Sequence, residues 1–283
     1  MKKFASVTFF VFATTVFAQM SRVYSEPAVM CEIQDKQVNE SSGIAVSTLT
    51  KGVYFTHNDS GDGPRFFRFD RTGTITGIFR LKDAKALDWE DMDSALIKGK
   101  SYLYLGDIGD NASKRNSITI YRVLEPTGSS KDLSCEAFEV VYPDGPRNAE
   151  SLLVEPKTGF IQIVSKTDKG RSSVYRLELK KSDKPLKMTK LGEFQIPAMF
   201  DAEKLTTGGS FSPDGKFVAI RGYTRAWEYE VRDPKTWFMN KPKSIPVPLV
   251  QQAEAIAYER DGRSILTTSE GTPCPVHRIS LKK

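Results

Sequence analysis

Glu40-Ser41-Ser42-Gly43-Ile44, Trp89-Glu90-Asp91-Met92, Ala149-Glu150-Ser151-Leu152, Gly208-Gly209-Ser210-Phe211 and Ala253-Glu254-Ala255-Ile256 are versions of one short word. Aligned on the apolar residue that follows, their anchors are Ser42, Glu90, Glu150, Gly209 and Glu254. These are separated by 48, 60, 59 and 45 residues. A period of about 40–50 residues, loosened by loop insertions, is the mark of a β-propeller. A propeller gathers equivalent positions of every blade around one axis. Three glutamates and a serine that are distant in sequence would then meet.

Between the anchors run short segments rich in β-branched and aromatic residues, separated by turn words. The first repeat offers strands at 43–47, 53–56, 65–69 and 75–81. The second offers 91–97, 102–105, 118–124 and 137–142, and the third 151–155, 161–165, 173–179 and 188–196. The fourth offers 210–212, 217–221, 226–231 and 245–250. Pro156-Lys157-Thr158-Gly159, Ser212-Pro213-Asp214-Gly215 and Arg260-Asp261-Gly262 supply preset or positive φ for the turns between first and second strands. The fifth repeat yields only 255–259, 264–268 and 276–281. A spare strand at 28–34 precedes the first repeat. It is expected to complete the last blade and close the ring, which removes an exposed sheet edge. The expected fold is all-β, one five-bladed propeller over 19–283.

Residues 1–18 have the build of a secretory signal. Met1-Lys2-Lys3 precedes an apolar run, 4–17, too short to span a bilayer, and Val16-Phe17-Ala18 fits the small-residue cleavage rule. A secreted or periplasmic bacterial protein without a membrane span is expected. Loss of Lys2 and Lys3 takes the formal charge from +6 to +4. No basic run speaks for nucleic acid, and a monomer is expected. Cys31, Cys135 and Cys274 leave an odd thiol. Cys31 with Cys274 is the favoured pair because ring closure would put both in one blade, and three free buried thiols are the alternative.

Strand alternation puts the start of each first strand and the end of each second strand on one face. The second-strand ends are His57-Asn58-Asp59-Ser60-Gly61, Gly106-Asp107-Ile108-Gly109-Asp110-Asn111, Ser165-Lys166-Thr167, Arg221-Gly222-Tyr223 and Thr268-Ser269-Glu270-Gly271. They are expected to encircle Ser42, Glu90, Glu150 and Glu254. Clustered carboxylates call for raised pKa values or a bound cation. Oxygen ligands in a chain with two histidines point to calcium or magnesium. Lys166 and Arg221 beside the ion suit a small anionic substrate, and Asp59 or Asp107 would orient or deprotonate the attacking water. Asp59, Asp107, Lys166 and Arg221 are thus the catalytic candidates. The same residues have plainer uses. Inner-strand starts line a wet channel, Asp107, Asp110 and Asn111 suit turns, and Lys166 and Arg221 would neutralise Glu150. His57 and His277 read as structural.

Five blades opening on serine or glutamate resemble the calcium-activated nucleotidases, the apyrases of five-bladed propeller fold. The resemblance implies a central calcium held by Ser, Glu, Glu, Ser and Glu in blade order. This chain supplies Ser42, Glu90, Glu150 and Glu254, whereas Gly209 has no side chain to offer and Ser210 adjoins it. The fuller words, Asn58-Asp59-Ser60-Gly61, Asp88-Trp89-Glu90-Asp91 and Gly106-Asp107-Ile108-Gly109-Asp110-Asn111, resemble secreted bacterial propellers without assigned activity. Lactonase and phosphotriesterase propellers also hold a central calcium, on six blades. The leading expectation is metal-assisted hydrolysis of a phosphoanhydride or phosphoester. A non-catalytic module for a ligand or envelope partner is the alternative, and lactone or ester hydrolysis the third.

Overall fold

The structure, a computed structural model, describes residues 22–129, 131–167, 171–197 and 200–282. The expected signal segment 1–18 lies outside the described residues. A first strand, β1 (Ala28–Ile33), precedes the blades. Blade 1 is β2 (Ser41–Val46), β3 (Val53–Asn58), β4 (Arg65–Asp70) and β5 (Ile75–Leu81). Blade 2 is β6 (Trp89–Ile97), β7 (Lys100–Asp107), β8 (Ile118–Leu124) and, after the short β9 (Lys131–Leu133), β10 (Glu136–Val141). Blade 3 is β11 (Ala149–Val154), β12 (Ile161–Ser165), β13 (Ser172–Leu177) and, after β14 (Leu186–Lys187), β15 (Thr189–Phe194). Blade 4 is β16 (Thr206–Phe211), β17 (Phe217–Gly222), β18 (Ala226–Glu230) and β19 (Lys243–Ile245). Blade 5 is β20 (Ala253–Tyr258), β21 (Ser264–Ser269) and β22 (Cys274–Ser280), with β1 antiparallel to β22 as its outer strand. The fold is the five-bladed propeller that the repeat predicts, closed by the strand expected to close it.

The blades pack because alternate residues of each strand face opposite neighbours. On β21, Ile265 joins Ala219 and Ala226 of blade 4 in one core cluster. Leu266, the next residue, joins Ile44 and Phe67 of blade 1 in another. Both faces of a blade are buried, so β2, β11, β16, β20 and β21 have no exposed residue. Gly159, Gly215 and Gly262 stand at φ 73°, 70° and 60°, where the turn words put them.

Three features differ from the expectations. The outer strand of blade 4 ends at Ile245 instead of beginning there, because Pro246 and Pro248 have no N–H to give to a ladder. The connections inside blades 2 and 3 reach back. β9 pairs parallel to β5, and β14 parallel to β10, so each covers the outer edge of the preceding blade. The cysteines are free. Cys31 and Cys274 do share blade 5, but Cys31 lies opposite Val276 and Cys274 opposite Ile33. The two thiols are diagonal neighbours, which is a poor arrangement for a bridge.

Residues 22–25 strap blade 5 to blade 4. Tyr24 bridges to Leu281, and its hydroxyl donates to Glu228 Oε1 at 2.5 Å. Arg22 Nε and the Tyr258 hydroxyl donate to the same buried carboxylate at 3.0 and 2.6 Å.

Candidate functional site: the acidic axial mouth

The site is built on five bulges. In blade 1, Ser41 pairs with Asn58 and Gly43 with His57, so Ser42 is an extra residue. Glu90 is extra between Trp89 and Asp91, and Glu150 between Ala149 and Ser151. Thr207 is extra between Thr206 and Gly208. In blade 5, pairing passes from Ala253 to Ile256, which frees Glu254. A bulge re-aims a side chain, and here one such residue per blade comes to the same opening. The fourth ring position is therefore Thr207. Gly209 pairs regularly with Ile220, two residues further along. Blade 4 has no acidic residue in its word, so the aligned anchor falls on Gly209 instead. The hydroxyl-glycine pair Ser42-Gly43, repeated as Thr207-Gly208, carries the correct register.

The two hydroxyl members tie the ring together. Ser42 Oγ donates to the Glu90 carbonyl at 2.5 Å, and Thr207 Oγ1 to the Glu254 carbonyl at 2.8 Å. Each reaches the bulge of the next blade. Gly43 follows from that closeness, since a Cβ there would lie 2.7 Å from Met92 N. One layer in, Asp91 plugs the axis. Its carboxylate accepts the amides of Met92, Leu152 and Gly209 at 2.8, 2.9 and 3.3 Å, from blades 2, 3 and 4. Burial pushes its pKa up, and those amides pull against it. The word Trp89-Glu90-Asp91-Met92 predicts Glu90 for the site and gives Asp91 no part in it.

Above the plug, oxygens of Asp59, Asp88 and Glu90 lie within 4.8 Å of one another. Gly109 lies against two of them, and a Cβ would sit 2.2 Å from Glu90 Oε1 and 2.4 Å from Asp88 Oδ2. Burial first, then Glu150, Asp59 and Asp88, drives Glu90 far above the usual carboxylate range. Asp88 is raised by burial and then by Asp59. Burial, with Glu150 next, lifts Glu254 to about 8. Glu150 is raised less, because Lys166 Nζ donates to both its oxygens at 2.5 Å. Lys166 also donates to the Tyr223 hydroxyl at 2.8 Å. The mouth is thus a cluster of carboxylates to which Lys166 is bonded, with Arg115 also acting on Asp88 and Glu270 adding negative charge beside Glu254.

The other candidates are placed differently. Asp107 is buried and accepts Arg115 Nη1 at 2.7 Å and the Asp88 amide at 3.1 Å. It clamps the loop that presents Asp88 and is not a free base at the rim. Arg221 is not at the rim at all. Sitting on β17 opposite Gly208 and Ala226, it is 0% exposed, and its three guanidinium nitrogens have no hydrogen-bond partner among the described residues. Its position matches that of His57 in blade 1, which is also sealed inside, edge-on to Trp89 at 5.5 Å. The strand-end rule misplaces Arg221 because the bulge draws the penultimate residue of the second strand between blades, whereas His57 is structural as expected. Asp59 remains at the mouth, half-buried.

No protein-family model matches the chain, and no curated protein matches it. Among solved structures, the PQQ-bound aldose sugar dehydrogenase of Streptomyces coelicolor superposes with a TM-score of 0.53 at 11% identity. That match covers 92% of this chain and 99% of the other. A gluconolactonase of Xanthomonas campestris gives 0.50 at 13% identity, over 86% of this chain and 72% of the other. At such identities the likeness is one of fold. What this chain shares with both proteins is the β-propeller.

Proposed function

We propose that the acidic axial mouth is a calcium site and that the protein is a calcium-dependent hydrolase of a small ester or lactone. The observation that carries this is the ring of bulges, which aims Ser42, Glu90, Glu150, Thr207 and Glu254 at one opening where Asp59 and Asp88 join Glu90. The donors fit the ion. All are hard oxygens, and a spread of 4.8 Å suits calcium, whose bonds of about 2.3–2.6 Å leave opposed ligands about 5 Å apart. Asp59, Asp88 and Glu90 would hold it, with the remaining ring oxygens beside them. Calcium bound there supplies Lewis-acid polarisation of a carbonyl or phosphoryl oxygen.

The charge of the mouth selects the substrate. Glu90, Glu150, Glu254 and Glu270 lie in the field of Lys166, whose ammonium is already shared between Glu150 and Tyr223, while Arg115 is paired with Asp107 and Arg221 is sealed inside. An uncharged ester or lactone enters such a mouth with less opposition than a nucleotide polyanion. Before calcium binds, Glu254, raised to about 8, holds a proton at neutral pH. The Tyr223 hydroxyl accepts from Lys166 and keeps its own proton to give to a leaving alkoxide. The lactonase neighbour is consistent with this choice. A phosphoester or phosphoanhydride is the second reading. It is favoured by the blade order Ser, Glu, Glu, Thr, Glu, which differs from the apyrase-like order only in one hydroxyl residue.

The test is turnover by purified protein of δ-gluconolactone and p-nitrophenyl acetate, beside p-nitrophenyl phosphate and ADP, with calcium or chelator. Calcium-dependent ester or lactone hydrolysis, lost in Glu90→Gln, is expected. Phosphate release alone would shift the assignment to the second reading. No turnover of any of the four would leave only a cation- or ligand-binding propeller.

A further inference from the structure

The axis has a second mouth, at the other ends of the inner strands. β6 is the longest of these, nine residues against six for each of the others. Its extension follows from the tight turn Lys98-Gly99, with φ of 49° and 78°, which the twist of a two-residue hairpin requires. Ala95 and Leu96, in the added length of strand, line a half-open cavity of about 390 Å³. That is within the usual range for small-molecule pockets, about 300–1,000 Å³. Asp93, Val154, Phe211, Leu96 and Arg260 are among the residues that line it.

The polar lining presents acceptors. Asp93 is nearly sealed at 7% exposure, and its oxygens take the Ser94 and Val154 amides at 2.8 Å each. One lone pair on each oxygen remains. The neighbouring hydroxyls are spent as donors. Ser94 Oγ gives to the Val46 carbonyl at 2.6 Å, and Thr48 Oγ1 to Ser101 Oγ. Among the described residues, Arg260 is the one cation lining the cavity, and it is exposed. Leu96, at 52% exposure, leaves an apolar lip open to solvent. A buried carboxylate with spare acceptor capacity, set under apolar walls, matches a donor head on an apolar tail.

We propose that this second mouth binds a small organic ammonium, with its head on Asp93 and its tail against Leu96, Val154 and Phe211. The site is separate from the carboxylate ring, with the Asp91 plug between them. Burial raises Asp93 to about 7. The ionisable groups near it are Asp91 on its own strand, Tyr104 on β7 and Arg260 across the cavity. Near pH 7 a bound ammonium would therefore displace a proton.

Calorimetry with n-butylammonium, n-butanol and n-butyrate, in chelator, tests this without reference to the other mouth. The ammonium is expected to bind at millimolar concentration, and the alcohol and the carboxylate at least tenfold more weakly. In two buffers of different ionisation heat, binding at pH 7 should release protons. Asp93→Asn should weaken binding by about tenfold or more. Arg260→Ala, a surface change that spares the fold, should tighten it about two- to fivefold by removing a like charge. No binding of the ammonium at tens of millimolar overturns the proposal. So does equal binding of butanol, or an Arg260→Ala affinity no tighter than wild type.

Discussion

Replacing Arg221 with methionine should make the protein more stable, although it removes the largest buried polar side chain. The guanidinium is sealed between blades 4 and 5 with no acceptor for any of its nitrogens among the described residues. Burial brings its pKa down to about 10, with only the charge of Glu254 opposing that fall. This is at least about two powers of ten below the ordinary value, at about 1.4 kcal/mol for each. The sign follows from linkage. A base with a depressed folded pKa destabilises the native state wherever it is charged, here at every pH below about 10. The cost at pH 7 is thus about 3 kcal/mol. Methionine fills nearly the same channel without a charge, and imperfect packing returns about 1 kcal/mol. A net gain of about 2 kcal/mol should raise Tm by about 4–8 °C in a domain of this size. Urea unfolding at pH 7, with wild type and Arg221→Met matched in buffer and chelator, measures it. A variant less stable than wild type by about 1 kcal/mol or more would mean that the guanidinium is satisfied in solution and is not the isolated charge described above.

The ring carboxylates and Asp93 make the opposite demand on pH. Glu254 at about 8 and Asp93 at about 7 hold protons in the folded chain that they lose near pH 4 when unfolded. Stability in chelator should therefore fall between pH 5 and 8, followed by melting, and calcium should restore it most at pH 8; a flat profile would contradict the burial of these groups. Asp91→Ala leaves the Leu152 and Gly209 amides without their acceptor. A loss of about 3 kcal/mol is expected in denaturant titration, with Asp91→Asn milder because one acceptor oxygen remains. Glu228→Ala strips Arg22, Tyr24 and Tyr258 of their common acceptor. It should cost about 3 kcal/mol or more and raise proteolysis of the N-terminal strap, detected by mass spectrometry.

Blade number, strand order and ring closure were legible because they rest on local signals. Each inner strand opens on a version of the same word, each inner hairpin turns on Gly with positive φ, and one strand was short at one end and spare at the other. The parallel strands β9 and β14 left no such signal. They are three and two residues long, shorter than any periodicity can register. The ring was legible in four blades, where a serine or glutamate marks the bulge. In blade 4 a threonine does that work, and the neighbouring glycines drew the register two residues too far. Arg221, Asp107 and Asp91 show the limit of strand arithmetic. Alternation tells which end of a blade a residue occupies. It does not tell whether its side chain goes to the mouth, between the blades or across the axis.

Closure by β1 sets a condition on how the chain folds. Ala28 lies opposite Arg278 and Ile33 opposite Cys274, so the latch joins residues about 245 positions apart. No ribosome-bound chain can form it until β22 has emerged. Until then the blades already made stand as an open arc, with β1 unpaired and the cores between blades partly exposed. Contacts of such range slow folding. They also make an intermolecular error available, because the β1 of one chain completes the blade 5 of another as well as its own. At high concentration during refolding, dimers exchanged through residues 22–34 are the expected by-product, and dilution should suppress them.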